Sequence, residues 1–181
     1  VTEGSDSPSE KMRILGDGKV GIGATDPVTD LEIRSGGTTG GELALTLGDG
    51  DVGAGETIGT IRFQAPKVGD GGDSIETSAY IKAITEGTFS ATQNDTGLAF
   101  ATAYDAPATE KMRIDKRGFV GIGTTQPGEM LTVGDITKDQ NTYILVEADT
   151  DNEVGIIFKE EAANKWQFYV DGDDGDKLNV Y

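Results

Sequence analysis

Glu10-Lys-Met-Arg-Ile-Leu-Gly-Asp-Gly-Lys-Val-Gly-Ile-Gly-Ala-Thr-Asp-Pro-Val-Thr-Asp-Leu-Glu-Ile33 returns 100 residues later, without a gap, as Glu110-Lys-Met-Arg-Ile-Asp-Lys-Arg-Gly-Phe-Val-Gly-Ile-Gly-Thr-Thr-Gln-Pro-Gly-Glu-Met-Leu-Thr-Val133. Glu10, Lys11, Met12, Arg13, Ile14, Gly18, Val20, Gly21, Ile22, Gly23, Thr25, Pro27 and Leu31 recur unchanged, 13 of the 24 aligned positions. An internal repeat of this length implies a modular array rather than one globular enzyme.

Each copy has strand periodicity. Met12/Ile14 and Met112/Ile114 alternate with Arg and Lys, Gly18 and Gly118 follow as turn residues, and Val20/Ile22 and Val120/Ile122 alternate with glycines. Pro27 and Pro127 then interrupt the chain before a further strand begins at Leu31/Ile33 and Leu131/Val133. Gly21/Gly23 and Gly121/Gly123 give the second strand one bare face. Bare strand faces are costly in backbone entropy, so a close neighbour, plausibly another backbone, is expected there. Two short apolar strands cannot bury their own face. Three copies around an axis with Val and Ile inward would do so; the plainer alternative is a monomeric β-solenoid or tandem sandwich in which the bare face packs on the next module.

Between the copies, period-2 alternation predicts strands at Leu43/Leu45/Leu47, at Ile61/Phe63, at Ile81/Ala83/Thr85 and over Leu98/Phe100/Thr102/Tyr104. Gly- and Asp-rich loops separate them, with the long ones at 48–57, 65–79 and 86–97. After the second copy the order restarts with shorter loops: Tyr143–Glu147, Gly155–Phe158, Trp166–Val170 and Leu178–Tyr181. The expected organisation is a linker at 1–9, a stem repeat at 10–33, a β module with long loops at 34–109, a second stem repeat at 110–133, and a shorter, truncated module at 134–181. The chain stops where a third Met-Arg-Ile segment would fall due, which suggests a piece of a longer protein.

Composition narrows the chemistry. Only 35% of residues are hydrophobic while 27 are Gly, a balance that suits short strands and many turns. The chain has neither Cys nor His, which removes disulfides, thiol nucleophiles, His bases and His or Cys zinc sites. No stretch reaches the roughly 18 apolar residues of a membrane helix, so no membrane insertion is expected. Val1–Pro8 lacks a basic and apolar leader. A net charge of −17 argues against nucleic acid, whose phosphates would be repelled.

Met-Arg-Ile, a few turn residues, Gly, then Val-Gly-Ile-Gly-Thr-Thr, Pro and Leu-x-Val resembles the repeats of bacteriophage tail fibres and related virion appendages; similar repeats occur in large bacterial surface proteins. Thr124-Thr125 follows the pattern and Ala24-Thr25 departs from it slightly. The resemblance covers 10–33 and 110–133 closely, and the modules only in style. It implies an all-β, elongated, intertwined homotrimeric fibre, located in the virion. It also implies a cleaved intramolecular chaperone domain, which nothing in 134–181 resembles.

Gly16/Gly18/Gly21 and Gly48/Gly50/Gly53 match a dinucleotide fingerprint, but neither opens a helix and Lys116 replaces the first Gly in the second copy, so turns are preferred. Asp171, Asp173, Asp174 and Asp176, with Asp49/Asp51 and Asp70/Asp73, raise calcium binding. Gly175 takes the third ligand position and no Glu closes the loop, so solvated acidic turns are preferred. With 32 acidic residues a glycosidase pair can always be nominated, so nomination carries no information. Trp166 and Phe168 alternate as a strand face would, with Tyr169 beside them, which favours packing over a sugar platform. Asn94-Asp-Thr96 matches a glycosylation acceptor that has no meaning in a phage.

No catalytic, cofactor-binding or metal-ligating residue is therefore assigned. The expected function is a non-catalytic structural part of a tail fibre that contributes to host attachment. Its partners are itself, as a homotrimer, and a host cell-surface glycan or protein met by the long loops. The alternatives are a polysaccharide-depolymerising tailspike and a bacterial adhesin fragment at the cell surface.

Overall fold

The computed structural model describes residues 10–66, 77–134, 144–146, 154–160, 163–171 and 177–180. These residues are all-β and contain no helix. The chain divides into two compact units, Val1–Thr132 and Val133–Tyr181.

In the first unit, β1 (Met12–Ile14), β2 (Val20–Ile22) and β3 (Leu31–Ile33) form a three-stranded sheet. A six-stranded sheet follows, in the order β4 (Thr57–Gln64), β5 (Thr77–Thr85), β6 (Thr96–Thr102), β7 (Thr109–Ile114), β8 (Val120–Ile122) and β9 (Leu131–Val133). Neighbours from β4 to β8 are antiparallel, so the sheet is a meander of sequential strands. The second unit holds an antiparallel three-stranded meander of β10 (Val154–Glu160), β11 (Ala163–Asp171) and β12 (Lys177–Val180).

The two repeats fold alike. Met12 faces Ile22 and Ile14 faces Val20 across the first hairpin; Met112 faces Ile122 and Ile114 faces Val120 across the second. The tight turn has the same hydrogen bonds in both: Gly18 N–H donates to the Leu15 carbonyl at 3.0 Å and Gly118 N–H to the Asp115 carbonyl at 2.8 Å. Gly18 and Gly118 have φ of +90° and +82°, a conformation that a side chain would strain and that the following strand needs to stay in register. The chain beyond the hairpin returns alongside it. Val20 N–H donates to the Asp30 carbonyl at 2.8 Å, and Val120 N–H to the Met130 carbonyl at 2.9 Å. Pro27 and Pro127, where the chain reverses, are both buried.

Three of the four strands expected between the repeats are present, as β4, β5 and β6. The run toward Tyr104 ends at Thr102, and Tyr104 lies outside the strand, 86% exposed. The fourth is absent: residues 41–47 join no sheet despite the Leu43/Leu45/Leu47 alternation. Alternation makes a segment suitable for a sheet, but a strand also needs an edge to pair with, and here none is taken. Of the comparable run after the second repeat, only residues 144–146 are described, likewise outside any strand, while Tyr143 and Glu147 lie outside the described residues. The runs near 155, 166 and 178 fall in β10, β11 and β12.

Candidate functional site

Register fixes which residues share a face, because partners across a ladder point to the same side and neighbours along a strand to opposite sides. In the six-stranded sheet, Phe63 pairs Ala79, Ile61 pairs Ile81, Ile81 pairs Phe100, Phe100 pairs Met112, and Met112 pairs Ile122. A parallel row runs Gly59, Ala83, Leu98, Ile114, Val120. One face is thus apolar across β4 to β8, a width of about 19 Å at the usual strand spacing. The other face carries Arg62 and Tyr80 beside Ala101, and Thr60, Lys82 and Arg113 beside Ala99, with Gly121 at the end of that row.

Burial is the reverse of the usual sheet. Ala99 and Ala101, on the charged face, are 1% and 2% exposed. The apolar face stands open: Phe63 is 55% exposed, Ile61 48%, Ile122 44% and Leu98 37%. The first repeat repeats the pattern, with Met12, Ile14, Ile22 and Leu31 all exposed on one face. Among the described residues, apart from the two buried prolines, the buried apolar side chains are Ala24, Val52, Ala99 and Ala101. Small residues lie under a roof of long charged side chains, whose stems cover them, while the large apolar groups of the other face are only partly covered.

The roof is held by ion pairs. Arg113 donates from Nε to Glu110 at 2.7 Å and from Nη1 to Glu86 at 2.9 Å, and all three side chains are largely buried. The Glu110 carboxylate first, then Glu86, holds the Arg113 proton more tightly than usual. Glu86 also accepts from the Lys116 N–H at 2.9 Å, while Lys116 Nζ donates to Asp95 at 2.5 Å. Asp115 caps the β7–β8 turn, accepting from the N–H groups of Arg117 and Phe119 at 2.8 and 2.9 Å and from Arg117 Nε at 2.8 Å. Burial pushes its pKa up, but these bonds outweigh that and hold it below the usual carboxylate value. Arg117 in turn stacks over the Phe119 ring, 4.3 Å from its centroid.

The bare face of the glycine strand is met by backbone, as expected. A Cβ on Gly21 would run into the Ala24 carbonyl, and one on Gly121 into the Thr124 carbonyl. The neighbour that fills the bare face is the next turn of the same hairpin, neither another chain nor another module. The apolar side chains on the opposite face are the ones left without a partner.

The loops named from sequence are partly structured. Within 48–57, Val52 is buried and Glu56 N–H donates to Thr85 Oγ1 at 2.8 Å, while Thr85 Oγ1 donates to the Gly53 carbonyl at 2.6 Å. This loop therefore closes one end of the apolar face. Of 65–79, residues 67–76 lie outside the described residues and 77–79 belong to β5. Within 86–97, Ser90 and Gln93 form a bridge and Thr96–Gly97 open β6.

Asp49 accepts a bond from the Asp51 N–H at 3.0 Å, as a turn residue does. Asp70, Asp73, Asp173, Asp174 and Asp176 lie outside the described residues, and Asp171 ends β11 opposite Lys177. Trp166 and Phe168 sit in β11, in register with Phe158 and Ile156. Among the described residues no three acidic groups converge as a cation site would require. A cleft walled by Glu86, Arg113, Asp115, Lys116, Arg117 and Gln126 offers no free charge, since each of its ionic groups is paired within the chain. Among the described residues, no helix is long and apolar enough to cross a membrane.

No protein-family model matches the chain, and no curated protein matches it. Among solved structures, the chain is similar to the carboxy-terminal domain of the bacteriophage T5 L-shaped tail fibre, with a TM-score of 0.42 and 8% sequence identity. That match covers 82% of this chain and 79% of the other.

Proposed function

We propose that the chain is a non-catalytic structural segment of a phage tail fibre or similar virion appendage, assembled as a homotrimer and contributing to host-cell attachment. Stem repeats at 10–33 and 110–133 alternate in it with the β modules at 34–109 and 134–181. The observation that carries this reading is the open apolar face of the six-stranded sheet. An apolar surface of this extent marks a contact with another macromolecule. Its occurrence in both repeats fits a contact that recurs along a fibre. Covering a half-exposed Ile or Phe contributes about 1 kcal/mol, so several such residues from each copy support a stable assembly. Three copies turned inward would enclose Met, Val, Ile and Leu around an axis and leave the charged roofs, and most of the −17 charge, on the outside. Contact with a host glycan or protein is assigned to the loops at 48–57, 65–79 and 86–97, where weak contacts act together through avidity. Sedimentation equilibrium of the purified chain tests the assembly: a particle of three chain masses is expected, and a single-chain mass at all concentrations overturns it.

A further inference from the structure

Residues 42–47, Glu-Leu-Ala-Leu-Thr-Leu, have the composition of a strand and no sheet. We propose that this segment pairs, antiparallel, with the outer edge of β4 in a second copy of the chain, as a seventh strand of that copy's sheet. The inference rests on the self-association reading above and specifies one of its contacts.

Among the described residues, no backbone N–H or C=O of 42–47 takes part in a hydrogen bond. Leu43 and Leu45 are 62% and 43% exposed. β4 is the outermost strand of its sheet, and among the described residues no strand pairs with the far edge of Gly59–Phe63. The chain's own segment does not use that edge. A Cβ built on Gly59 would lie 2.6 Å from Leu45 Cβ, so Leu45 crosses over the apolar face of β4 instead of lying beside it.

Side-chain parity supports the pairing. Placing Leu43, Leu45 and Leu47 opposite Phe63, Ile61 and Gly59 widens the apolar face by one strand. The same register sets Glu42 opposite Gln64 and diagonal to Arg62, close enough for an ion pair. Neither Glu42 nor Arg62 has a charged partner among the described residues. With a net charge of −17 per chain, copies meet most readily where carboxylates are scarce or matched by a cation, as on this edge. Every copy has one donor strand and one acceptor edge, so exchange can close into a ring, a low-cost route to assembly. After the second repeat, Ile144, Leu145 and Val146 are likewise exposed and, among the described residues, lie in no strand.

The chain has no cysteine, so cross-linking reports cleanly. Two differently tagged chains, one with Leu45→Cys and the other with Ile61→Cys, are co-expressed, purified through both tags and oxidised. Opposed strand residues sit about 4.5–5.5 Å apart at Cα, within disulfide range. The expected result is a denaturing-gel band of twice the chain mass that carries both tags and disappears on reduction. The exposed pair Ala44→Cys with Arg62→Cys repeats the test without touching the apolar face. A multi-chain particle with no cross-tag disulfide for either pair overturns the inference and leaves the fibre reading standing, as does a disulfide formed only within a chain carrying both substitutions. A single-chain particle overturns both.

Discussion

Arg113 reaches Glu86 at 2.9 Å across 27 residues of sequence, a bond its repeat counterpart Arg13 does not make. Arg13 keeps the short pair with its own Glu10, at 2.6 Å, and turns its Nη1 to the Thr25 carbonyl at 2.9 Å. The same repeat sequence is thus locked to the preceding sheet in the second copy and only to itself in the first. The second copy follows β5, whose end at Thr85 brings Glu86 within reach of Arg113.

Glu86→Ala is therefore expected to destabilise the first unit by about 2 kcal/mol, the scale of a largely buried charge-assisted bond. Arg113 keeps Glu110, which limits the loss. Glu10→Ala removes an exposed pair and should leave stability nearly unchanged. Urea unfolding followed by tyrosine fluorescence or circular dichroism measures both, and equal effects would refute the assignment of Glu86 as the tie.

Gly121→Ala places a methyl group against the Thr124 carbonyl, which belongs to backbone and has little room to yield. A loss of about 1–3 kcal/mol, the usual cost of overpacking, is expected from thermal unfolding. Gly16→Ala, where a Cβ meets nothing, should be close to neutral.

This glycine also shows where sequence is informative. The hairpins were legible because turn glycines and period-2 alternation are local signals, and Gly18 and Gly118 meet the demands of one turn type. The bare strand was legible as a close approach, but not the identity of what approaches, since a carbonyl three residues away leaves no periodic trace. Alternation at Leu43, Leu45 and Leu47 marked a strand whose partner edge is not taken up within the chain. The link from Glu86 to Arg113 had no signal at all, because a lone Glu among 32 acidic residues announces nothing about its neighbour. The reversed sheet became visible only when register placed Ala99 and Leu98 on opposite faces.

Stability should fall in acid. Asp115 and Asp95 both titrate below their ordinary value of 3.8, Asp95 chiefly through the Lys116 bond. A carboxylate with a depressed folded pKa stabilises fully above its unfolded pKa, and that contribution is lost as pH drops through the folded value. The melting temperature is thus expected to be level from pH 7 to about 5 and to decline below about 4. Asp115→Asn should lower the plateau and flatten the acid limb. An unchanged acid limb would remove Asp115 as a contributor.

Leu98 and Ala99 are neighbours in β6 on opposite faces, and their substitution separates folding from assembly. Ala99 is 1% exposed beneath the charged roof, so Ala99→Leu overpacks it and should destabilise the chain by about 1–3 kcal/mol. Leu98, on the apolar face, is 37% exposed. Leu98→Lys should change the unfolding free energy of the isolated chain by less than about 1 kcal/mol, yet it buries a charge wherever copies meet. Circular dichroism and sedimentation on the two variants give the contrast: Ala99→Leu less stable, Leu98→Lys folded but dissociated. If Leu98→Lys sediments as the unsubstituted assembly does, the apolar face is not where the copies join.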